Sequence, residues 1–284
     1  MPLIFDLSYS DNIGLSACHN RQIYQRLANF RNRIKENFRT LAKQFILNMM
    51  SPFKSIMENK KVIVFPCGKP GAPTVYSPMY MEAGQAVLEE CAKSGCRPFN
   101  LVTISGLRWD AELTPWACEP VLSQEDDFEG KANEYTIFMT QQVIPFAEKV
   151  LFGAAGGDSD AAAGSERILA GYSLAGLYAI YAPYVTDAFQ RVVSASGSLW
   201  YPDFLEFTLN HEFRQEPLSA YFSLGDKESR SKNMYVSKNQ ENTEELCGHY
   251  AKLGINSIFE LNPGNHFNNA TGRLAKGIVW TMNH

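Results

Sequence analysis

A serine and a histidine, far apart in the chain, each sit in the local setting that nucleophilic chemistry requires. The serine lies in the run Arg167-Ile168-Leu169-Ala170-Gly171-Tyr172-Ser173-Leu174-Ala175-Gly176-Leu177. Ile168, Leu169 and Ala170 predict a short buried strand, and the apolar stretch from Leu177 to Tyr184 predicts a buried helix. Strand, tight turn with serine, helix is the context of the G-x-S-x-G nucleophile elbow. The small residues at 171, 175 and 176 leave room for a backbone held in a strained conformation. Ala175 stands where the motif has its second glycine, and Gly176 follows it. A helix starting at Leu174 would aim its first free N–H groups toward the serine, where they favour negative charge. Ser173 is therefore the candidate nucleophile, and the Leu174 N–H is a candidate oxyanion donor.

A serine hydroxyl is a weak nucleophile at neutral pH and needs a base to take its proton. Of the five histidines, at 19, 211, 249, 266 and 284, only His266 follows a predicted strand within a turn, Asn262-Pro263-Gly264-Asn265-His266. An imidazole titrates near pH 6.5 when unperturbed, which suits a general base. A carboxylate must then orient the imidazole and stabilise its charged form. Asp226 and Glu228 both follow the strand that ends at Gly225. A side chain directly after the strand is fixed by it, whereas one three residues on can reach across to a histidine. Glu228 is thus favoured, with Asp226 as the alternative acid. A second oxyanion donor is expected from the loop after the first core strand, at Gly68 or Lys69. Trp109, Trp116 and Trp200 fall on loops at the same rim, and Trp109 and Trp200 are candidates to line a substrate pocket. No histidine pair has metal-ligand spacing and no H-E-x-x-H occurs, so the expected chemistry uses neither metal nor cofactor.

These residues need a scaffold that brings three loops to one rim. The chain has 284 residues, 45% of them hydrophobic, enough for one sizeable α/β domain plus an appendage. From Lys61 onward strands alternate with helices. Val62–Phe65, Phe99–Ile104, Ile168–Ala170, Arg191–Ala195, Tyr221–Leu224 and Ser257–Leu261 are predicted strands, while Pro66–Pro73 is a predicted turn-rich loop. Tyr80–Ser94, Asn133–Phe152 (bent near Pro145), Leu177–Tyr184, Glu241–Leu253 and Ala270–Met282 are predicted helices. This pattern predicts a mostly parallel sheet with helices on both faces, whose loops at the strands' carboxyl ends build the site. Gly153–Gly164 is a small-residue linker.

Residues 1–60 differ in texture. Ile23, Leu27, Phe30, Ile34, Phe38, Leu41 and Phe45 recur at helical spacing, with arginines and lysines on the other faces. This predicts a basic amphipathic helical appendage that covers the domain or hangs loosely from it, with residues 21–50 as the alternative candidate surface for a membrane contact or a second copy of the chain. Residues 1–61 carry a formal +6 and the remainder −10, for a net charge of −4. The acidic body gives no pull toward nucleic acid. No stretch of about 20 apolar residues predicts a membrane span. The six cysteines form no C-x-x-C, and Met1–Ser10 lacks the pattern of a secretory leader. The expectation is reduced thiols in a cytoplasmic protein.

With these residues in hand, the chain from about 61 to 284 resembles the putative-esterase family of α/β-hydrolases, which includes enterochelin-type siderophore esterases and feruloyl esterases. The matching segments are Gly171–Leu177, Ser194–Trp200, Gly225–Glu228 and Gly264–Phe267. The order serine, acid, histidine is that of α/β-hydrolases. The resemblance implies an α/β-hydrolase fold and a Gly-x-x-acid element that supports Glu228. It implies cleavage of small-molecule or carbohydrate acyl esters through an acyl-enzyme on Ser173, without a cofactor. An acyltransferase using the same residues, and a non-catalytic binding protein on this scaffold, are the alternatives. Family members usually begin with extra antiparallel strands, for which this chain has the basic segment instead.

Overall fold

The computed structural model describes residues 3–5, 60–79, 83–121, 127–152 and 165–284. The expected helix over 21–50 and the linker at 153–164 lie outside them. Ten strands are present among the described residues: β1 Leu3–Phe5, β2 Lys61–Phe65, β3 Thr74–Pro78, β4 Asn100–Ser105, β5 Ala117–Cys118, β6 Phe128–Glu129, β7 Arg167–Tyr172, β8 Arg191–Ala195, β9 Ser219–Gly225 and β10 Asn256–Asn262. The helices are α1 Ala83–Lys93, α2 Trp109–Glu112, α3 Ala132–Phe138, α4 Ile144–Phe152, α5 Leu174–Val185, α6 Phe204–Asn210, α7 Asn239–Lys252 and α8 Ala270–Asn283.

Eight strands form one sheet in the order β1-β2-β4-β3-β7-β8-β9-β10. From β4 to β10 every neighbour is parallel, while β2 runs antiparallel to both β1 and β4. Strands β3, β4 and β9 are buried along their whole length, as strands covered on both faces must be. The side-chain alternation of β9 shows the two layers. Tyr221 packs its ring 5.9 Å from that of Trp280 in α8, and Phe222 packs 5.5 Å from Tyr250 in α7. On the α8 face, Ile168, Ala170, Val193, Leu274, Ala275 and Ile278 share one core with α1 residues Val87 and Cys91. Helix α5 is apolar on every side and is buried from Leu174 to Tyr184.

The helix expected at 133–152 is present as α3 and α4, joined by a π-turn over Met139–Val143. Pro145 explains the interruption. It has no N–H to donate, and its ring would collide with the carbonyl four residues earlier, which a wider turn relieves.

Three expectations need correction. Leu3–Phe5 belongs to the sheet, pairing Leu3 with Val64, so the appendage does not take in the whole of 1–60. Thr74–Pro78 is a fully buried strand that the sequence pattern left unassigned. The strand at 62–65 is antiparallel, so its exit loop lies at the opposite rim from the exits of the parallel strands. Among the described residues no helix is long and apolar enough to cross a membrane.

Candidate active site

Ser173 closes β7 and opens α5 with φ 60° and ψ −126°, in a region that L-residues rarely enter. Backbone hydrogen bonds hold it there. Its N–H donates to the Ala195 carbonyl at 3.2 Å, and its own carbonyl accepts from Ser198 at 3.1 Å and from Leu177 at 3.0 Å. The turn is so tight that a Cβ on Gly171 would stand 2.0 Å from the Ala175 carbonyl oxygen. This is the steric reason for a glycine two residues before the serine.

His266 reaches the serine from the turn after β10. Its Nε2 is 3.1 Å from Ser173 Oγ, and its Nδ1 is 2.8 Å from Glu228 Oε2. A carboxylate can only accept, so Nδ1 carries the proton and Nε2 is left with a lone pair facing the hydroxyl. The Tyr172 hydroxyl, one residue before the nucleophile, donates to the His266 carbonyl at 2.5 Å and ties the histidine turn to the elbow.

Glu228 is 3% exposed at its side chain. Besides His266 it accepts three donors on Oε1: the Gly225 N–H at 2.6 Å, the Ser196 hydroxyl at 2.9 Å and Arg273 Nη1 at 2.7 Å. Burial pushes its pKa up, but hydrogen bonds and charge attraction from His266, with the Gly225 and Ser196 donors, outweigh that and hold it below the usual glutamate value. Asp226, the other acid considered, is exposed at the turn, where its Oδ1 accepts the Gly264 N–H at 2.8 Å. It staples the exit loops of β9 and β10 to each other.

Ser173, His266 and Glu228 are thus brought into one hydrogen-bonded line, and Leu174 stands beside them as the first residue of α5. Gly68 and Lys69 are not. They follow β2, which is reversed, so they lie at the amino ends of the parallel strands. There they share a cleft with Asn100, the first residue of β4, whose Oδ1 accepts the Cys67 N–H at 3.0 Å. The loop after β3, by contrast, leaves a parallel strand at the serine's rim. It begins at Met79, whose N–H is taken by the Ile104 carbonyl at 3.0 Å.

Two clefts meet at Ser173. One, of about 300 Å³, is lined mainly by apolar groups such as Met79, Val87 and Leu274. The other, of about 340 Å³, holds Asp110, Ser198, Trp200 and Asn239. Trp109, His266 and Phe267 line both. Trp200 lines only the second, and Trp116 instead packs against Tyr201, Phe204 and Phe207. Among the described residues, no lysine or arginine lines either cleft.

Arg273, Ser196 and Tyr172 escaped sequence reasoning. For Arg273 a signal existed. It stands in the first turn of α8, where the helix dipole disfavours a cation, and a cation placed there implies an anionic partner.

No family model matches the chain, and no curated protein matches its sequence. Solved structures do resemble it. An IroE-like serine hydrolase from Shewanella oneidensis superposes with TM-score 0.59 at 15% identity, over 78% of this chain and 75% of its own. The enterobactin esterase Fes of Shigella flexneri gives 0.56 at 19% identity over 79% of this chain, which spans only 55% of that one. A ferulic acid esterase gives 0.51 at 16% identity, over 81% and 93%. Strand order, the reversed second strand and the strand–serine–helix elbow define the α/β-hydrolase fold, which this chain shares with those esterases. At these identities the likeness is one of fold.

Proposed function

We propose that this protein is a serine hydrolase that cleaves carboxylic esters through an acyl-enzyme on Ser173. The observation that carries the reading is the continuous path from Glu228 through both ring nitrogens of His266 to Ser173 Oγ, at 2.8 and 3.1 Å. Ser173 Oγ attacks the ester carbonyl carbon while its proton passes to His266 Nε2. The carbonyl oxygen becomes an oxyanion facing the Leu174 N–H, whose place at the helix start leaves it free of an intrahelical acceptor. Glu228 holds the Nδ1 proton and stabilises the imidazolium. His266 then gives the proton to the leaving alkoxide. Water, deprotonated by His266, attacks the acyl carbon; the bond to Ser173 Oγ breaks, His266 returns the proton to that oxygen, and the acid is freed. Every step uses side chains and backbone of this chain.

The clefts favour small-molecule esters. Apolar walls of this volume suit an uncharged acyl or aryl group. The lack of cationic side chains among the described lining residues disfavours polyanionic ones. The enterobactin and ferulic acid esterases that share the fold act on small-molecule esters by their names, which supports the same class here.

A fluorophosphonate probe should label the protein at Ser173, and Ser173→Ala should abolish labelling and lower ester turnover by about 10⁴-fold or more. A folded wild-type protein that neither labels nor hydrolyses a p-nitrophenyl ester series removes the proposal. Products from assays with added sugar or glycerol separate transfer to water from transfer to an alcohol.

A further inference from the structure

Behind the proposed acid lies a charged group that hydrolysis does not by itself require. Arg273 is 2% exposed. Its Nη1 reaches both Glu228 Oε1 at 2.7 Å and Ser196 Oγ at 2.9 Å, and its Nη2 donates to the Pro263 carbonyl at 3.0 Å. Ser196, at φ 46°, passes the contact on by donating to the same Oε1. The chain makes space for this guanidinium at a glycine. A Cβ on Gly225 would stand 2.7 Å from Arg273 Nη2 and 2.3 Å from the Gly264 carbonyl oxygen. Arg273 thus joins three pieces: the acid, the strained turn after β8, and the start of the loop that carries His266.

We infer that Arg273 is a positioning residue for the reaction at Ser173: it locks Glu228 in the rotamer that meets His266 and cancels the carboxylate's buried charge. The inference rests on the ester-hydrolase reading above. Its electrostatic part has a definite sign. A buried carboxylate with no counter-ion would stabilise the imidazolium strongly. With Arg273 on Oε1 the pair behind the ring is neutral, so Glu228 orients the imidazole without placing an uncompensated charge behind it. Among the described residues, the other charged or titratable groups near His266 are Tyr172 on β7, whose ring is 5.3 Å away, Asp226 and Lys227 exposed on the turn after β9, and Asp110 across the shared cleft. Of the charges named, only Arg273 is a buried cation in contact with Glu228.

The test is the rate of Ser173 labelling by a fluorophosphonate as a function of pH, which needs no knowledge of the natural substrate. In Arg273→Met the acid limb should move up by about one pH unit, and the plateau rate should fall about tenfold. Arg273→Lys keeps the charge without the fork, so its acid limb should stay near wild type while the plateau recovers only in part. A folded Arg273→Met with the wild-type acid limb overturns the inference. Where Arg273→Met does not fold, Glu228→Gln is compared with Glu228→Gln/Arg273→Met, a pair that leaves no buried ion unpaired in the double variant. Removing the cation should again move the limb up, and coincident limbs overturn the inference. A wild-type protein that does not label defeats the ester-hydrolase reading, whereas labelling with an unmoved limb defeats the role of Arg273 alone.

Discussion

A carboxylate steers an imidazole only if it cannot turn away, and Glu228 has no freedom to turn. Three donors occupy Oε1 and the fourth partner, His266, takes Oε2. Glu228→Gln keeps the shape but presents an amide that favours the wrong tautomer, so kcat/KM should fall by about 10²–10⁴. Asp226→Asn touches only the turn and should change kcat/KM less than about threefold, as side chains outside a catalytic network do. Steady-state kinetics on one p-nitrophenyl ester decides between the acids, and equal losses contradict the assignment. The same donors make a stability statement. Because the folded pKa of Glu228 is depressed, its contribution is full above the ordinary glutamate value of about 4.3. It is lost as pH falls through the lower folded value. Urea-unfolding free energies should therefore drop more steeply between about pH 5 and pH 3 in wild type than in Glu228→Gln. Parallel curves contradict this.

At the scale of elements, glycines show where backbone contact fixes the site. Gly225→Ala would drive a methyl into the Gly264 carbonyl and Arg273, costing about 1–3 kcal/mol and lowering turnover with it. Gly248, exposed in α7 with open space around it, is the control: Gly248→Ala should stabilise by about 1 kcal/mol. Thermal melts of the two variants should move in opposite directions. The elbow was legible because its signals are local, a short apolar run, a serine and small residues within one turn. β8 matches its expected span, Arg191–Ala195, for the same reason. β3 was not legible. Thr74–Pro78 offers only Thr74, Val75 and Tyr76 as strand formers, follows Pro73 and itself ends in Pro78. Missing it made β2 look like the first parallel strand and sent the expected oxyanion loop to Gly68 and Lys69, at the wrong rim. Arg273 is a long-range feature. Its partner lies 45 residues away, a distance at which helix periodicity says nothing.

Over the whole molecule, the sheet has an edge that β1 covers by pairing with β2. Removing residues 1–5 would leave the unpaired N–H and C=O groups of β2 open to another chain. Light scattering on warming should show earlier aggregation than in the full chain, while ester turnover per folded molecule stays within about twofold because the site stands at β7, β9 and β10. Unchanged aggregation counts against a protective role for β1. The division of the site among those last strands has one more consequence. The segment between Glu228 and α7 is exposed at Met234. A backbone nick there would put nucleophile and acid on one fragment and the imidazole with its arginine brace on the other. Neither piece could turn over substrate alone, so colour released from a chromogenic ester would read out the reunion of two halves fused to any pair of binding partners.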